Sequence, residues 1–166
     1  MRFKMDNAHR EFVDKMHPAF GLAQHPGYCT IEVKPLIVSG GFILPDKILI
    51  NDLNAPDSVA HIVFHESAHF LHPYCRTFWQ NFLQTGKRGP ESLNEVVAHL
   101  GTIIFLSRHR GSDEVEKYIN DRRGQPVLLI AQDLFPQTNL LEKLANADFK
   151  EAKRIIAPYT LRRLSL

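Results

Sequence analysis

Residues 56–72 read PDSVAHIVFHESAHFLH, and residues 65–69 within them follow the pattern His-Glu-x-x-His. Histidines four positions apart lie one turn apart on the same face of a helix, with Cβ atoms about 5–6 Å apart. Both His65 and His69 can therefore reach one metal ion, and zinc is the metal for which this pattern is typical. Glu66 lies about 100° round the helix from His65. There it can flank the metal and act as the general base for a water molecule.

The same stretch carries the signals of a complete helix. Asn54 can cap its start, Pro56 suits the first turn, and Asp57 suits the positive end of the helix. Pro73 should end the helix after His72. Its other faces can be buried against a core because they carry apolar side chains, namely Val59, Ile62, Val63, Phe70 and Leu71.

A catalytic zinc site needs a third protein ligand and an open fourth position. One known type has a histidine six residues after the second motif histidine, but that position is Cys75. Glu95 fits another type, since it lies in the middle of an apolar helix predicted over 89–107, where an unpaired carboxylate would be costly to bury. His72 is a weaker alternative because it would crowd His69. The predicted zinc ligands are His65, His69 and Glu95.

The motif at residues 65–69, followed by Asn94-Glu95-x-x-Ala98, resembles the gluzincin metallopeptidases. The run from Glu95 to Leu106 is also similar to the glutamate helix of small gluzincins, including minigluzincins and ImmA/IrrE-like peptidases. The resemblance covers roughly residues 10–107. It implies a zincin-like fold, zinc held by the two histidines and the later glutamate, and hydrolysis of a peptide or protein substrate with Glu66 as the base.

The sequence departs from that family at His99. Thermolysin-like members often have an acidic residue at this place, four after the glutamate, which orients a zinc-bound histidine. His99 is predicted to take over that orienting role or to donate a proton, and a buried core histidine is the alternative. His61 extends the ligand face by one turn, as a helper of the site or as a polar residue lining a cleft. Four residues are candidates for stabilising the oxyanion: His72, Tyr74, Tyr118 and Tyr159.

The rest of the chain predicts an α+β fold in one domain over residues 1–166. A helix is expected over 7–23, and residues 28–51 alternate like the strands of a small antiparallel or mixed sheet, with an antiparallel meander as the simplest arrangement. An extended substrate is expected beside its last strand, Lys47 to Asn51, as an added edge strand. Helical segments follow, and we expect them over residues 76–84, 113–122, 125–134 and 139–157. The core spans about 10–107, and residues 108–166 form a helical extension.

Composition bounds the function classes. The net charge is +2 with 44% hydrophobic residues, which gives no reason to expect a nucleic-acid partner. No segment approaches the roughly 18 apolar residues that a membrane span needs, and the N-terminus has no signal-peptide pattern. A cytoplasmic protein is the expectation. The oligomeric state and a pairing of Cys29 with Cys75 stay open.

Two other interpretations compete with a peptidase. The first is a metal-stabilised binding or regulatory protein without peptidase activity. The second has no metal, and the side chains of His65, His69 and Glu95 merely hydrogen-bond to one another.

Overall fold

The computed structural model describes residues 2–20, 22–36, 41–44, 46–53, 56–71 and 91–122, with three single positions beyond. The elements are α1 (Arg2–Met16), β1 (Thr30–Lys34), β2 (Gly41–Ile43), β3 (Lys47–Asn51), α2 (Pro56–Leu71), α3 (Glu91–His109) and α4 (Ser112–Asn120). The predicted α+β class is confirmed. Several predictions lie outside the continuous described ranges: the helices over 76–84, 125–134 and 139–157, the Asn54 cap, and His72, Tyr74, Cys75 and Tyr159.

Helix α1 begins and ends earlier than the predicted 7–23. It ends at Met16, and a short 3₁₀ turn follows at Pro18–Phe20. Proline disfavours helical geometry at the residue before it, so Pro18 stops the helix. At the other end, Met5 is buried together with Phe12, so the buried face extends further towards the N-terminus than the predicted start.

The three strands form a mixed sheet in the order β1-β3-β2, which confirms the mixed form of the predicted sheet and shows that the predicted antiparallel meander is wrong. β3 pairs with β1 in parallel, from Thr30 opposite Lys47 to Lys34 opposite Asn51, and with β2 in the antiparallel sense. β3 lies at the centre, and the side chains of Ile48 and Ile50 on this strand are buried in the core. β3 therefore has no free edge, and the expected substrate edge at Lys47 to Asn51 is wrong as well.

Helices α2 and α3 pack closely through small residues. A Cβ built on Gly101 of α3 would lie 3.3 Å from the Cβ of Ala68 and 3.0 Å from Cζ of Phe20. Ala68 is one of the two variable residues of the His-Glu-x-x-His pattern, so the motif itself supplies the small side chain. The short helix separation brings the N-terminal half of α3, including Glu95, towards the two histidines of α2.

The turn between α3 and α4 depends on Gly111, which has φ 95°. Glycine adopts this left-handed conformation without a Cβ penalty, and it commonly ends a helix in this way. Gly111 also precedes the first residue of α4, and no side chain caps that helix. Ser112 is already inside this helix, which therefore begins one residue before the predicted 113–122.

The core lies between the sheet, α1 and the pair α2–α3, and it includes residues from α4. Its largest fully buried side chains are Tyr118, Phe12, Phe20, Phe105, Met16, Ile31, Ile48, Ile50, Leu71, Leu100, Ile103 and Leu106. Tyr118 belongs to the first helix of the predicted extension, so the packed unit continues past residue 107. Among the described residues, no helix has both the length and the apolar character needed to cross a membrane.

Candidate metal centre

Three side chains from two helices converge at one point. Nε2 of His65 lies 3.1 Å from Oε2 of Glu95, and Nε2 of His69 lies 3.4 Å from Oε1 of Glu95. The two Nε2 atoms are 3.3 Å apart. These are the residues predicted as ligands, and the described part of the chain holds no other group of three potential ligands this close.

The spacing of these atoms fits a zinc ion. Zinc takes imidazole and carboxylate ligands at about 2.0–2.1 Å in tetrahedral geometry, which sets neighbouring donor atoms roughly 3.3 Å apart. The three observed separations lie close to that value. A purely hydrogen-bonded group explains the geometry less well, because both histidines would have to donate to Glu95 with their N–H groups side by side. We call His65, His69 and Glu95 the metal triad.

Burial differs among the members of the metal triad. The side chain of Glu95 is 42% exposed, whereas those of His65 and His69 are 12% and 6% exposed. Partial burial would raise the pKa of the Glu95 carboxyl, but its contacts with His65 and His69 outweigh that effect and hold the pKa below its ordinary value. The triad is thus anchored on the histidine side and open to solvent on the carboxylate side.

Glu66 is buried beside the metal triad, against the start of β2. Burial raises the pKa of its carboxyl, although the nearby His65 and His69 act in the opposite direction. A Cβ built on Gly41 would lie 2.8 Å from Cγ and 3.1 Å from Oε1 of Glu66. Gly41 is the first residue of β2. Its missing side chain lets the β2 backbone approach Glu66.

Behind the metal triad, the Tyr118 hydroxyl lies between two histidines. It is 3.1 Å from Nδ1 of His65 and 2.7 Å from Nδ1 of His99. Tyr118 and His99 are both buried, at 0% and 2% exposure. Burial, with a smaller contribution from His65, lowers the pKa of His99 to about 2, so its ring is neutral. Burial also raises the pKa of Tyr118, which keeps its hydroxyl protonated.

These contacts bear on two predicted roles. The Tyr118 hydroxyl is already engaged by His65 and His99, so this oxyanion candidate lies behind the ligands. Within the described part of the chain, His99 reaches the metal triad through Tyr118 and through ring packing on His65, with ring centroids 4.6 Å apart. His99 thus lies where an orienting residue would lie, and proton donation by His99 stays a prediction.

Helix α4 docks on α2 in register. His61 contacts Glu114, with Nε2 and Oε2 3.0 Å apart, and one turn later His65 contacts Tyr118. Residues four apart on one helix face thus meet residues four apart on the other. His61 is buried in this packing, so its predicted place in a cleft wall is wrong. His61 helps to hold α4 against α2.

The opposite face of α2 carries a second histidine network, which the sequence did not indicate. The backbone N–H of Cys29 donates to Nε2 of His9 at 3.1 Å, so Nε2 accepts and Nδ1 carries the hydrogen. Nδ1 then donates to Oγ of Ser67 at 2.8 Å, and Oγ donates to the carbonyl of Val63 at 2.6 Å. We call His9, Cys29 and Ser67 the anchor network, since it ties α1 and the start of β1 to α2.

Local sequence gives no signal for the anchor network, because His9 is 58 positions from Ser67. From the sequence, Tyr118 is only one of several tyrosines that could stabilise the oxyanion. A comparison of the chain with protein-family models, with curated proteins and with solved structures finds no match. The site is therefore interpreted from its own geometry and chemistry.

Proposed function

We propose that this chain is a zinc-dependent peptidase with a zincin-like fold, in which His65, His69 and Glu95 bind the zinc and Glu66 is the general base. The observation that carries the proposal is the convergence of two imidazole nitrogens and a carboxylate at separations of 3.1–3.4 Å. Two neutral nitrogens and one anionic oxygen form a donor set that catalytic zinc sites use.

Zinc bound at such a site supplies Lewis acidity and lowers the pKa of water to about 7. The protein's own contribution comes from Glu66. Its carboxylate can accept a proton from the attacking water and later return it to the leaving amine. Burial raises the pKa of this carboxyl, and a raised pKa makes the group a better proton acceptor at neutral pH. Because one side of Glu95 is exposed to solvent, a substrate could approach the site from that side.

A peptide substrate is expected to lie along β2. Among the described strands, β2 pairs only with β3, so its other edge has backbone groups that can bind an extended peptide. Gly41 lies on this strand and lets the backbone lie next to Glu66. A peptide added to this edge would run close to the proposed base. This location replaces the edge predicted at Lys47 to Asn51.

The test combines metal analysis with the variant Glu66→Gln. We expect about one zinc per chain, removed by a chelator, and cleavage of peptides from a mixed pool. Glu66→Gln should keep the zinc and lower the cleavage rate by about 10²–10⁴-fold, the usual contribution of a general base. Glu116→Gln is the matched control, because Glu116 is exposed on α4, and it should cleave at the wild-type rate.

Two results would overturn the proposal in different ways. A purified protein that takes up no zinc contradicts the metal site itself. Bound zinc with no cleavage by the wild type contradicts the peptidase and leaves a metal-stabilised binding protein. Equal cleavage by Glu66→Gln contradicts the role of Glu66 as the general base.

A further inference from the structure

We infer that Tyr118 and His99 are positioning residues that hold His65 in the tautomer required of a metal ligand. This inference rests on the proposed function, since it concerns the same metal triad. It goes beyond that proposal because it assigns a role to α4, which lies outside the region of family resemblance. The inference is based on two successive contacts, from Nδ1 of His65 to the Tyr118 hydroxyl and from that hydroxyl to Nδ1 of His99.

The direction of each hydrogen bond follows from the first. A neutral histidine that binds a metal through Nε2 carries its hydrogen on Nδ1. Nδ1 of His65 then donates to the Tyr118 oxygen, 3.1 Å away. The Tyr118 O–H is left to donate, and Nδ1 of His99, 2.7 Å away, accepts it. The neutral ring of His99 carries its own hydrogen on Nε2. Each of the two contacts therefore joins one donor to one acceptor, and all three groups are uncharged.

The burial of His99 supports a role beyond filling the core. His99 is 2% exposed, and its Nε2 has no hydrogen-bond partner among the described residues. An unsatisfied buried polar atom costs roughly 1–3 kcal/mol, so an apolar residue would be the more stable choice for packing alone. The contact that His99 makes through its other nitrogen is the one to Tyr118. We therefore expect the role of His99 to be that of accepting the hydrogen of the Tyr118 hydroxyl.

The partner of His65 is an unusual one. Metal-binding histidines usually donate their second N–H to a carboxylate, a backbone carbonyl or water. Here a phenol takes that place, and His99 fixes the orientation of the phenol. His99 therefore acts on His65 through one additional side chain, which α4 supplies.

The experiment measures zinc affinity by chelator competition. Tyr118→Phe and His99→Leu should each weaken zinc binding by about 10–100-fold, the range for residues that orient a ligand. His99→Asn should bind close to wild type, because the Asn Oδ1 can replace Nδ1 as an acceptor. Tyr28→Phe is the matched control, since Tyr28 is exposed and hydrogen-bonds to Asp14, and it should leave zinc affinity unchanged.

A second readout uses the wild-type protein and does not depend on whether a variant folds. Nitrogen-15 NMR of the zinc-loaded protein should find the ring hydrogen of His65 on Nδ1 and that of His99 on Nε2. A His99 ring with its hydrogen on Nδ1 would overturn the inference, as would wild-type zinc affinity in Tyr118→Phe. Failure of the wild type to bind zinc would instead overturn the proposed function, and the inference with it.

Discussion

The two faces of α2 both carry a histidine network, but the networks differ in how they use their nitrogen atoms. In the metal triad, the Nε2 atoms of His65 and His69 point to one place, 3.3 Å apart, beside a carboxylate. In the anchor network, the two nitrogens of His9 point to different partners, one accepting from the Cys29 backbone and one meeting Ser67.

The difference shows what makes a histidine a candidate ligand. His9 is as buried as the core, and burial lowers its pKa to about 4, yet both of its nitrogens are already satisfied by the protein. The triad histidines each direct a nitrogen at a shared point, where a cation could satisfy both. Convergence of lone pairs, rather than the abundance of histidine, separates a metal site from a structural polar network.

The largest expected effect breaks the metal triad alone. Glu95→Gln removes the anionic ligand, and zinc affinity should fall by more than the roughly 10–100-fold expected of an orienting residue. His9→Gln is the counterpart on the other face and should retain about one zinc per chain. Chelator competition and metal analysis check both. Equal zinc loss in the two variants would mean that the faces are not functionally distinct.

A pH titration sharpens the comparison through the anchor network. The pKa of His9 is lowered from 6.5 to about 4, chiefly by burial and next by Arg10. Above pH 6.5 His9 is neutral in both the folded and the unfolded chain, and it makes its full contribution to the free energy of unfolding. Between 6.5 and 4 the unfolded chain binds a proton that the folded chain does not, so stability falls as the pH falls.

The loss expected from His9 is about 3 kcal/mol by pH 4. Urea denaturation in excess chelator measures it. In His9→Gln the amide oxygen can still accept from Cys29, but the side chain does not titrate, so this part of the pH dependence should vanish. Parallel pH curves for the two proteins would show that His9 is not buried as a neutral ring.

Adding one methyl group at Gly41 tests how closely β2 must approach the base. In Gly41→Ala the new Cβ would lie 2.8 Å from Cγ of Glu66, so Glu66 must shift. We expect a stability loss of about 1–3 kcal/mol and a cleavage rate lower by roughly 10²-fold, with zinc retained. Gly27→Ala is the control. An alanine at φ 80° strains the backbone there, but its Cβ would lie near no other side chain. Its cleavage rate should not change, and an active Gly41→Ala would argue against the position of Glu66.

The smallest expected effect lies inside the motif. Ser67→Ala removes the hydroxyl between His9 and the Val63 carbonyl and should cost about 1–3 kcal/mol, since it leaves the buried Nδ1–H of His9 unsatisfied. Thermal unfolding measures the loss. Zinc affinity should stay at the wild-type value, and a weaker affinity would mean that the anchor network helps to set the metal triad.

Much of the site could be predicted from sequence because its signals are local. The spacing of His65 and His69 places them on one helix face, and the position of Glu95 within an apolar stretch requires a compensating partner. The strand segments were also largely right, since alternation and turn residues are local patterns. The α+β class follows from their order along the chain.

The remaining features depend on contacts between distant segments. The central position of β3 reflects which strand is covered on both sides, and alternation within a single strand does not contain that information. Tyr118 reaches His65 across 53 positions, and Gly41 lies against Glu66, a residue 25 positions further along the chain. Such pairings become visible only once the helices and the sheet are packed together.

The strand order has a consequence for how the molecule folds. Ile43 pairs with Ile48, whereas each parallel pair of β1 and β3 joins residues that are 17 positions apart, as Thr30 and Lys47 are. Closing the shorter loop costs less entropy. We therefore expect the β2–β3 hairpin to form early and to serve as the template on which β1 docks. Gly41, which lies against Glu66, would then be in place before α2 packs onto the sheet.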